Sequence, residues 1–292
     1  MSEKTETDTT DAGETSPQAA SGEHAGKIAL ITGASRGIGK ALALDLAAQG
    51  ATVVVNYRKN ADLAEQVVAE ARAAGGDGLA VGADVENPED IVRLFDTVAQ
   101  ELGRLDYFIN NAAASAFKKV LDLKTHHLDR SYATNVRPFV LGAQEAVKLM
   151  DNGGRIVAVS SYGSMRGFAT YAALGSYKAA VESFIRFMAV EFAGYGITVN
   201  GVNGGLIDSD SLDYFYSMPG MAPMQGVLDA IPLGRPGTVQ DMANTIEFLL
   251  SDRSAYITGQ TIVVDGGLTV AAPPYYHDTT DPLRLPERPT RG

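Results

Sequence analysis

The chain has 292 residues, 45% hydrophobic and 20% charged, which supplies a sizeable core and excludes disorder throughout. Without cysteine it has no disulfide, thiolate metal site or cysteine nucleophile, a composition that suits a reducing cytoplasm, and no apolar run reaches the roughly 18 residues of a membrane span. The formal net charge of −11 divides into −5 for residues 1–24 (six acids and Lys4) and −6 for the rest, a mild balance that argues against nucleic-acid or anionic-membrane partners.

Residues 1–24 are rich in Thr, Ser, Glu, Asp and Gly and lack periodicity. They are expected to form a disordered acidic tail, not a secretory signal. Strand and helix then alternate. Apolar, β-branched runs predict strands at 27–32, 52–56, 78–82, 105–110, 154–160, 197–200 and 261–264. Helical spacing occupies 38–49, 61–74, 88–101, about 125–150, 170–192 and 239–250. The third helix has a clear start: Asn87 suits the N-cap, Pro88 the first turn, and Glu89 and Asp90 the positive helix end. Strands that are apolar throughout are buried on both faces. The predicted fold is therefore α/β, a three-layer doubly wound parallel sheet (Rossmann fold) of about seven strands with helices on both faces. It occupies 25–270 as one domain. Residues 271–292 hold five prolines and form a tail, in which Tyr275–Tyr276 could pin onto a neighbouring subunit. The histidines are His24, His126, His127 and His277; none has HExxH-like spacing, so no catalytic metal is expected. His126 and His127 are expected on a solvated helix face.

The first strand runs into Gly33-Ala34-Ser35-Arg36-Gly37-Ile38-Gly39 and then a helix. Glycines at this junction let the backbone turn tightly beside a pyrophosphate, and the helix N-terminus supplies free N–H groups and partial positive charge. The second strand ends in Asn56-Tyr57-Arg58, without the acid that would take a ribose 2′-hydroxyl. Arg36 and Arg58 suit a 2′-phosphate, so NADPH is expected over NADH.

The glycine turn, Asp84-Val85, Asn110-Asn111-Ala112-Ala113, Asn135, Ser160-Ser161, Lys178 and Asp265-Gly266-Gly267 together resemble the short-chain dehydrogenase/reductase family over roughly residues 26–268. The resemblance implies that Asp84 and Val85 hold the adenine, that Asn111, Ala112 and Ala113 flank the nicotinamide ribose, and that Lys178 grips the ribose hydroxyls. Gly205 and Ile207 would meet the nicotinamide, and Asn135 would order a water near Lys178. The family's usual tyrosine four residues before the lysine is absent, because Leu174 stands there. Tyr171, seven residues before Lys178, gives instead the Tyr-x6-Lys spacing of the family's enoyl thioester reductases. Segments 143–150, 160–166, 202–208 and 259–267 also resemble the FabL branch of bacterial enoyl-ACP reductases, in which Asn203-Gly204-Gly205 replaces the commoner Pro-Gly.

The spacing has a physical reading. Seven helical steps of about 100° leave only about 20°, so Tyr171 and Lys178 share a face. Moving the tyrosine from four to seven residues upstream shifts it about 4.5 Å along the axis. Ketone reduction places hydride on the carbon that bears the oxygen. Enoyl reduction places it on C3 while charge grows on the thioester oxygen at C1, two bonds further on. The expected chemistry is NADPH-dependent reduction of the 2,3 double bond of an enoyl thioester, with Tyr171 on the enolate oxygen and Lys178 lowering the phenol's pKa by its charge. Ser161 stands 17 residues before Lys178, where ketoreductases keep their catalytic serine. Tyr162 could line the pocket, and Tyr177, a quarter-turn from the Lys178 face, is expected to be structural.

A lid is expected over about 206–233, with Tyr214, Phe215, Tyr216, Met218, Met221 and Met224 suited to an apolar acyl group. The carrier is acyl carrier protein or coenzyme A, and Lys118, Lys119 and Lys124 could form a basic patch for an acidic carrier. A cyclic enoyl-CoA of specialised (secondary) metabolism is open alongside fatty acid metabolism. Two other readings are open: a carbonyl (3-ketoacyl) reductase using Tyr171, and a non-catalytic NADPH-binding protein. The resemblance implies a cytoplasmic homotetramer or homodimer, with helices 125–150 and 170–192 as its main interface.

Overall fold

Successive residues of β1 (Ile28–Ile31) point to opposite sides of the sheet, and both sides are buried. The computed structural model describes residues 22–217 and 224–271. Ala29 and Ile31 pack with Leu42 and Leu46 of α1 (Gly37–Ala48) and Ile246 of α9 (Val239–Leu250). Ile28 and Leu30 pack on the other side with Phe95 of α3 (Pro88–Leu102), Phe139 of α5 (Arg137–Val147) and Ile185 of α6 (Ala172–Phe192). Each such side chain removed from water contributes about 1.5–3 kcal/mol. The approach is close: a Cβ on Gly142 of α5 would meet Phe108 Cζ at 2.6 Å.

The other strands are β2 (Thr52–Tyr57), β3 (Asp77–Gly82), β4 (Tyr107–Asn110), β5 (Gly154–Ser161), β6 (Ile197–Gly204) and β7 (Thr261–Val264), with α2 (Ala61–Ala73) and α4 (Thr125–Asn135) completing the layers. All seven strands are parallel, in the order β3-β2-β1-β4-β5-β6-β7. The chain reverses its direction of winding between β1 and β4, and this switch point opens a crevice at the strands' carboxyl ends. The predicted doubly wound fold is the one observed.

The differences have local causes. The helix expected over 125–150 is two helices, α4 and α5, because Pro138 lacks the N–H that would continue the ladder. The helix expected from residue 170 starts at Ala172 with Tyr171 at its N-cap. β6 runs on to Gly204 through the polar Asn203. The lid region carries two short helices, α7 (Asp210–Tyr216) and α8 (Gln225–Leu228). Asn87 caps α3 as expected, its side chain accepting from Glu89 N at 3.1 Å.

The expected tail boundary at residue 24 falls inside packed chain. His24 is fully buried, with Nδ1 3.2 Å from the Tyr107 hydroxyl. Residues 1–21, Met218, Met221 and the C-terminal stretch with Tyr275–Tyr276 lie outside the described residues. Among the described residues no helix is long and apolar enough to cross a membrane.

Candidate active site

The crevice is a cleft of about 1080 Å³. Its walls include Gly33, Ser35, Arg36, Gly37, Ile38, Arg58, Asp84, Val85, Asn111, Ala112, Ala113, Ser161, Tyr171, Lys178, Gly205 and Ile207. Two predicted site residues stand behind the wall. Gly39 is a packing glycine, since a Cβ there would lie 2.8 Å from both Gly33 O and Asn111 Nδ2. Asn135 is fully buried at the end of α4.

At one end the glycine turn adopts left-handed backbone at Gly33 (φ 65) and Gly37 (φ 58). The N-cap of α1, Arg36, makes no side-chain cap bond, and no acid sits in the first turn. The helix therefore presents uncapped N–H groups to the cleft, which suits a phosphate. Asn111 is turned toward this loop: its Nδ2 donates to Thr32 O at 2.9 Å and Gly33 O at 3.1 Å. Its side chain ties the turn to the end of β4. Asn56 is also spent on structure, its Nδ2 donating to Val81 O and Ala83 O. Asp84 accepts from Glu86 N at 3.0 Å. Arg58 pairs with Glu86 at 3.3 Å, and the same carboxylate takes Arg130 at 3.5 Å and the Thr134 hydroxyl at 3.0 Å. Arg36 reaches Asp210, the first residue of α7, at 3.2 Å. Glu86, Arg130 and Asp210 were not expected at the site, because only the fold brings β3, α4 and α7 together here.

The other end is aromatic and drier. Tyr171 OH lies 3.0 Å from Ser161 Oγ. Tyr171 keeps near-helical backbone (φ −94, ψ −1), and its carbonyl accepts the first bond of α6 from Gly175 N at 2.8 Å. The helical phase that aims Tyr171 and Lys178 alike is thus preserved. Thr170, just before it, is a β-branched residue held at φ 68 with its buried hydroxyl unpartnered. Leu174, at the family's usual tyrosine position, lines the cleft with nothing to donate. Phe117, Phe168 and Phe215 pack around the Tyr171 ring with centroids at 5.6, 4.3 and 5.7 Å, and Tyr162 stacks on Phe168 at 5.0 Å. Phe117 and Phe168 carried no sequence signal beyond their hydrophobicity.

Lys178 is 3% exposed and donates to Val159 O at 2.6 Å. Burial pulls its ammonium down to about 8, opposed by the Glu182 carboxylate. The Tyr171 phenol departs from expectation: burial raises it above its ordinary value, partly offset by the Ser161 hydrogen bond. Lys178 gives its bond to a backbone carbonyl, so no cation lowers the phenol. Asn135 Nδ2 donates to Ala114 O and Ser131 O at 2.7 Å each, while its buried Oδ1 has no partner.

His126 is exposed and His127 half-buried on α4, the solvated helix face expected for them, and both stand at the edge of the cleft. The His127 imidazole is pulled below its usual value by desolvation, then by His126, Lys118 and Lys124; Lys124 N donates to His127 Nδ1 at 3.1 Å, and Lys118 follows the lining residue Phe117. Tyr177 packs against Tyr132 at 6.1 Å, outside the cleft lining. Among the described residues, Glu23, His24 and Glu247 are the one His/carboxylate group close enough to share an ion. Arg253 already pairs with Glu23 at 3.1 Å and Glu247 at 3.5 Å, and the group is not part of the cleft lining.

The chain was compared with known proteins. A family profile described as Enoyl-(Acyl carrier protein) reductase matches residues 33–269. A 1-cyclohexenylcarbonyl-CoA reductase of Streptomyces collinus is 69% identical over 265 residues, covering 91% of this chain and 95% of that protein. A 3-oxoacyl-[acyl-carrier-protein] reductase of Synechocystis sp. is 39% identical, over 84% of this chain and 97% of that protein. A short-chain dehydrogenase from Burkholderia cenocepacia in complex with NADP superposes with a TM-score of 0.79 at 32% identity, over 85% of this chain and 99% of that one. With a nicotinamide-binding cleft at the switch point, a lysine and a tyrosine on one helix face and these relatives, the chain belongs to the enoyl-(acyl carrier protein) reductase family of short-chain dehydrogenases/reductases.

Proposed function

We propose that this protein is an NADPH-dependent reductase of the 2,3 double bond of an enoyl-CoA thioester that carries a compact alicyclic acyl group. One observation carries the reading: the Ser161–Tyr171 hydroxyl pair, 3.0 Å apart, stands in an aromatic-walled pocket while the usual ketoreductase position holds Leu174.

The residues present fit the dinucleotide. The uncapped start of α1 and the glycine turn would hold the pyrophosphate, and Arg36 and Arg58, now paired with Asp210 and Glu86, would take the 2′-phosphate. Of the residues that line the cleft, Asp84 and Val85 would flank the adenine, Lys178 would bind the ribose hydroxyls, and Ile207 would meet the nicotinamide. A bound nicotinamide supplies the hydride, which adds to C3.

Tyr171 does the work on the substrate. Reduction at C3 would turn the C2=C3 electron pair into the C1=C2 bond of an enolate and move the carbonyl pair onto the acyl oxygen, to which the Tyr171 hydroxyl would donate a hydrogen bond. A phenol raised by burial stays protonated at neutral pH, as a donor must. Ser161 orients the phenol and offers a second hydroxyl. Asn135 Oδ1, buried and unpartnered, fits the acceptor of a relay water, and solvent delivers the proton to C2.

Phe117, Phe168, Phe215 and the Tyr171 ring pack against one another as an aromatic wall of the cleft, a surface suited to a saturated or partly saturated six-membered ring, and the Streptomyces collinus relative is named for such a substrate. Lys118 and Lys124, next to the lining residues Phe117 and His127, favour an anionic carrier, and we assign the phosphates of coenzyme A. Exposed Phe184, Phe187 and Val190 on α6, with Leu128 and Tyr132 on α4, support assembly with further copies of the chain as a dimer or tetramer. The absence of cysteine supports a cytoplasmic setting.

The test is oxidation of NADPH with 1-cyclohexenylcarbonyl-CoA, crotonyl-CoA and acetoacetyl-CoA side by side. Turnover of the two enoyl thioesters, with the ring substrate preferred, is expected. Turnover of acetoacetyl-CoA alone would show a carbonyl reductase instead.

A further inference from the structure

Glu182 lies one helical turn beyond Lys178 on α6. Its Oε1 accepts three hydrogen bonds: from Ser160 Oγ, from Ser164 Oγ at 2.7 Å and from Asn203 Nδ2 at 2.7 Å. Asn203 also donates to Ser164 Oγ at 2.9 Å. Ser160 and Asn203 are buried. A carboxylate oxygen with three donors is thus knotted between the ends of β5 and β6 and the turn after β5.

The neighbours of this knot are the reacting groups. Three consecutive residues of β5 each hold one residue of α6. Val159 O takes the Lys178 ammonium, Ser160 Oγ binds Glu182, and Ser161 Oγ meets Tyr171 OH. Residues 171, 178 and 182 lie within about 20° of one line along the helix, since steps of seven and eleven residues nearly close whole turns. Among the described residues, Glu182 is the charge that acts on Lys178. Tyr171, the other titratable group on that face, is neutral. The ends of β5 and β6 packed there bring uncharged Ser160, Ser161 and Asn203, and α4 brings Asn135.

Asparagine at 203 supplies an N–H that Glu182 accepts, a donor that an apolar residue there could not offer. We propose that Glu182 is a positioning residue: its carboxylate clamps the ends of β5 and β6 to α6 so that Ser161 and Tyr171 meet, and it supplies the counter-charge beside Lys178. The proposal rests on the reading of Tyr171 and Lys178 given above.

Glu182→Gln keeps an acceptor oxygen and removes the charge; Asn203→Ala keeps the charge and removes one clamp contact. Both are compared with the parent for thermal midpoint, NADPH affinity by fluorescence, the pH profile of kcat/KM on an enoyl-CoA, and titration of Lys178 by lysine-selective NMR in the cofactor-free protein. For Glu182→Gln the expected result is NADPH affinity within about twofold, kcat at neutral pH down about tenfold, and both the alkaline limb and the Lys178 titration moved about one unit lower. For Asn203→Ala, kcat falls about threefold or more while the limb stays in place. An unmoved Lys178 titration in Glu182→Gln, or unchanged kcat in Asn203→Ala, overturns the proposal, as does a lower thermal midpoint with kcat intact in both. If the parent reduces no enoyl thioester, the functional reading fails, and the NMR titration still decides the place of Glu182.

Discussion

The two ends of the cleft are built on opposite principles. The adenosine end is wet and held by exposed ion pairs: Arg58 to Glu86 and Arg36 to Asp210. The catalytic end is more enclosed, with Lys178 buried, Tyr171 half-buried among aromatic rings, and both held by hydrogen bonds to β5. Exposed pairs are worth little and exchange partners readily, whereas buried polar contacts are costly to break. The wet end is thus made to trade its carboxylates for a phosphate. The enclosed end is made to stay put.

The contrast is sharpest at the phenol. Tyr171→Phe should lower kcat by about 10²–10³, as loss of one donor to a developing oxyanion does, while NADPH affinity measured by fluorescence stays within twofold. Equal activity in the variant would place the chemistry elsewhere. Lys178 gives the next largest effect. Its folded-state pKa is lowered to about 8 by burial, so the ammonium is complete below that value and lost above it. The kcat/KM of the free enzyme should therefore fall about tenfold per pH unit above roughly pH 8. A flat profile to pH 10 would show that the charge is not needed.

At the wet end, Arg58→Ala should weaken NADPH about tenfold and leave NADH nearly unchanged, read as dissociation constants. Parallel losses for both dinucleotides would mean that Arg58 does not see the 2′-phosphate. The smallest effect is expected at the rim. Lys118→Glu with Lys124→Glu should raise KM for an acyl-CoA about fivefold, more so at low salt, and leave an acyl-pantetheine thioester without phosphates unaffected. A matching rise for an acyl-carrier-protein substrate, with acyl-CoA untouched, would reassign the carrier.

The same division governs what could be read from the sequence. The sheet, the glycine turn and the helix start at Asn87 are local: periodicity, glycines and a cap lie within a few residues of one another. The Tyr171–Lys178 pair is also local, because seven residues of one helix fix its geometry. The aromatic wall is not. Phe117 and Phe168 come from two separated loops and look like ordinary hydrophobic residues until the fold brings them to Phe215 of α7. The Glu86 and Glu182 contacts escape for the same reason, since each joins several elements. Pro138 did signal a break in the helix 125–150, yet amphipathic spacing on either side masked it.

Thr170 offers a lesson for anyone who would engineer this protein. Glycine is the obvious stabilising replacement for a β-branched residue at φ 68, since it adopts that backbone without steric penalty. Yet this hinge-stiff threonine fixes the direction in which the chain enters α6, and so where the next ring points. A more heat-resistant variant made here would come with a looser aim, and durability and turnover would pull one codon in opposite directions.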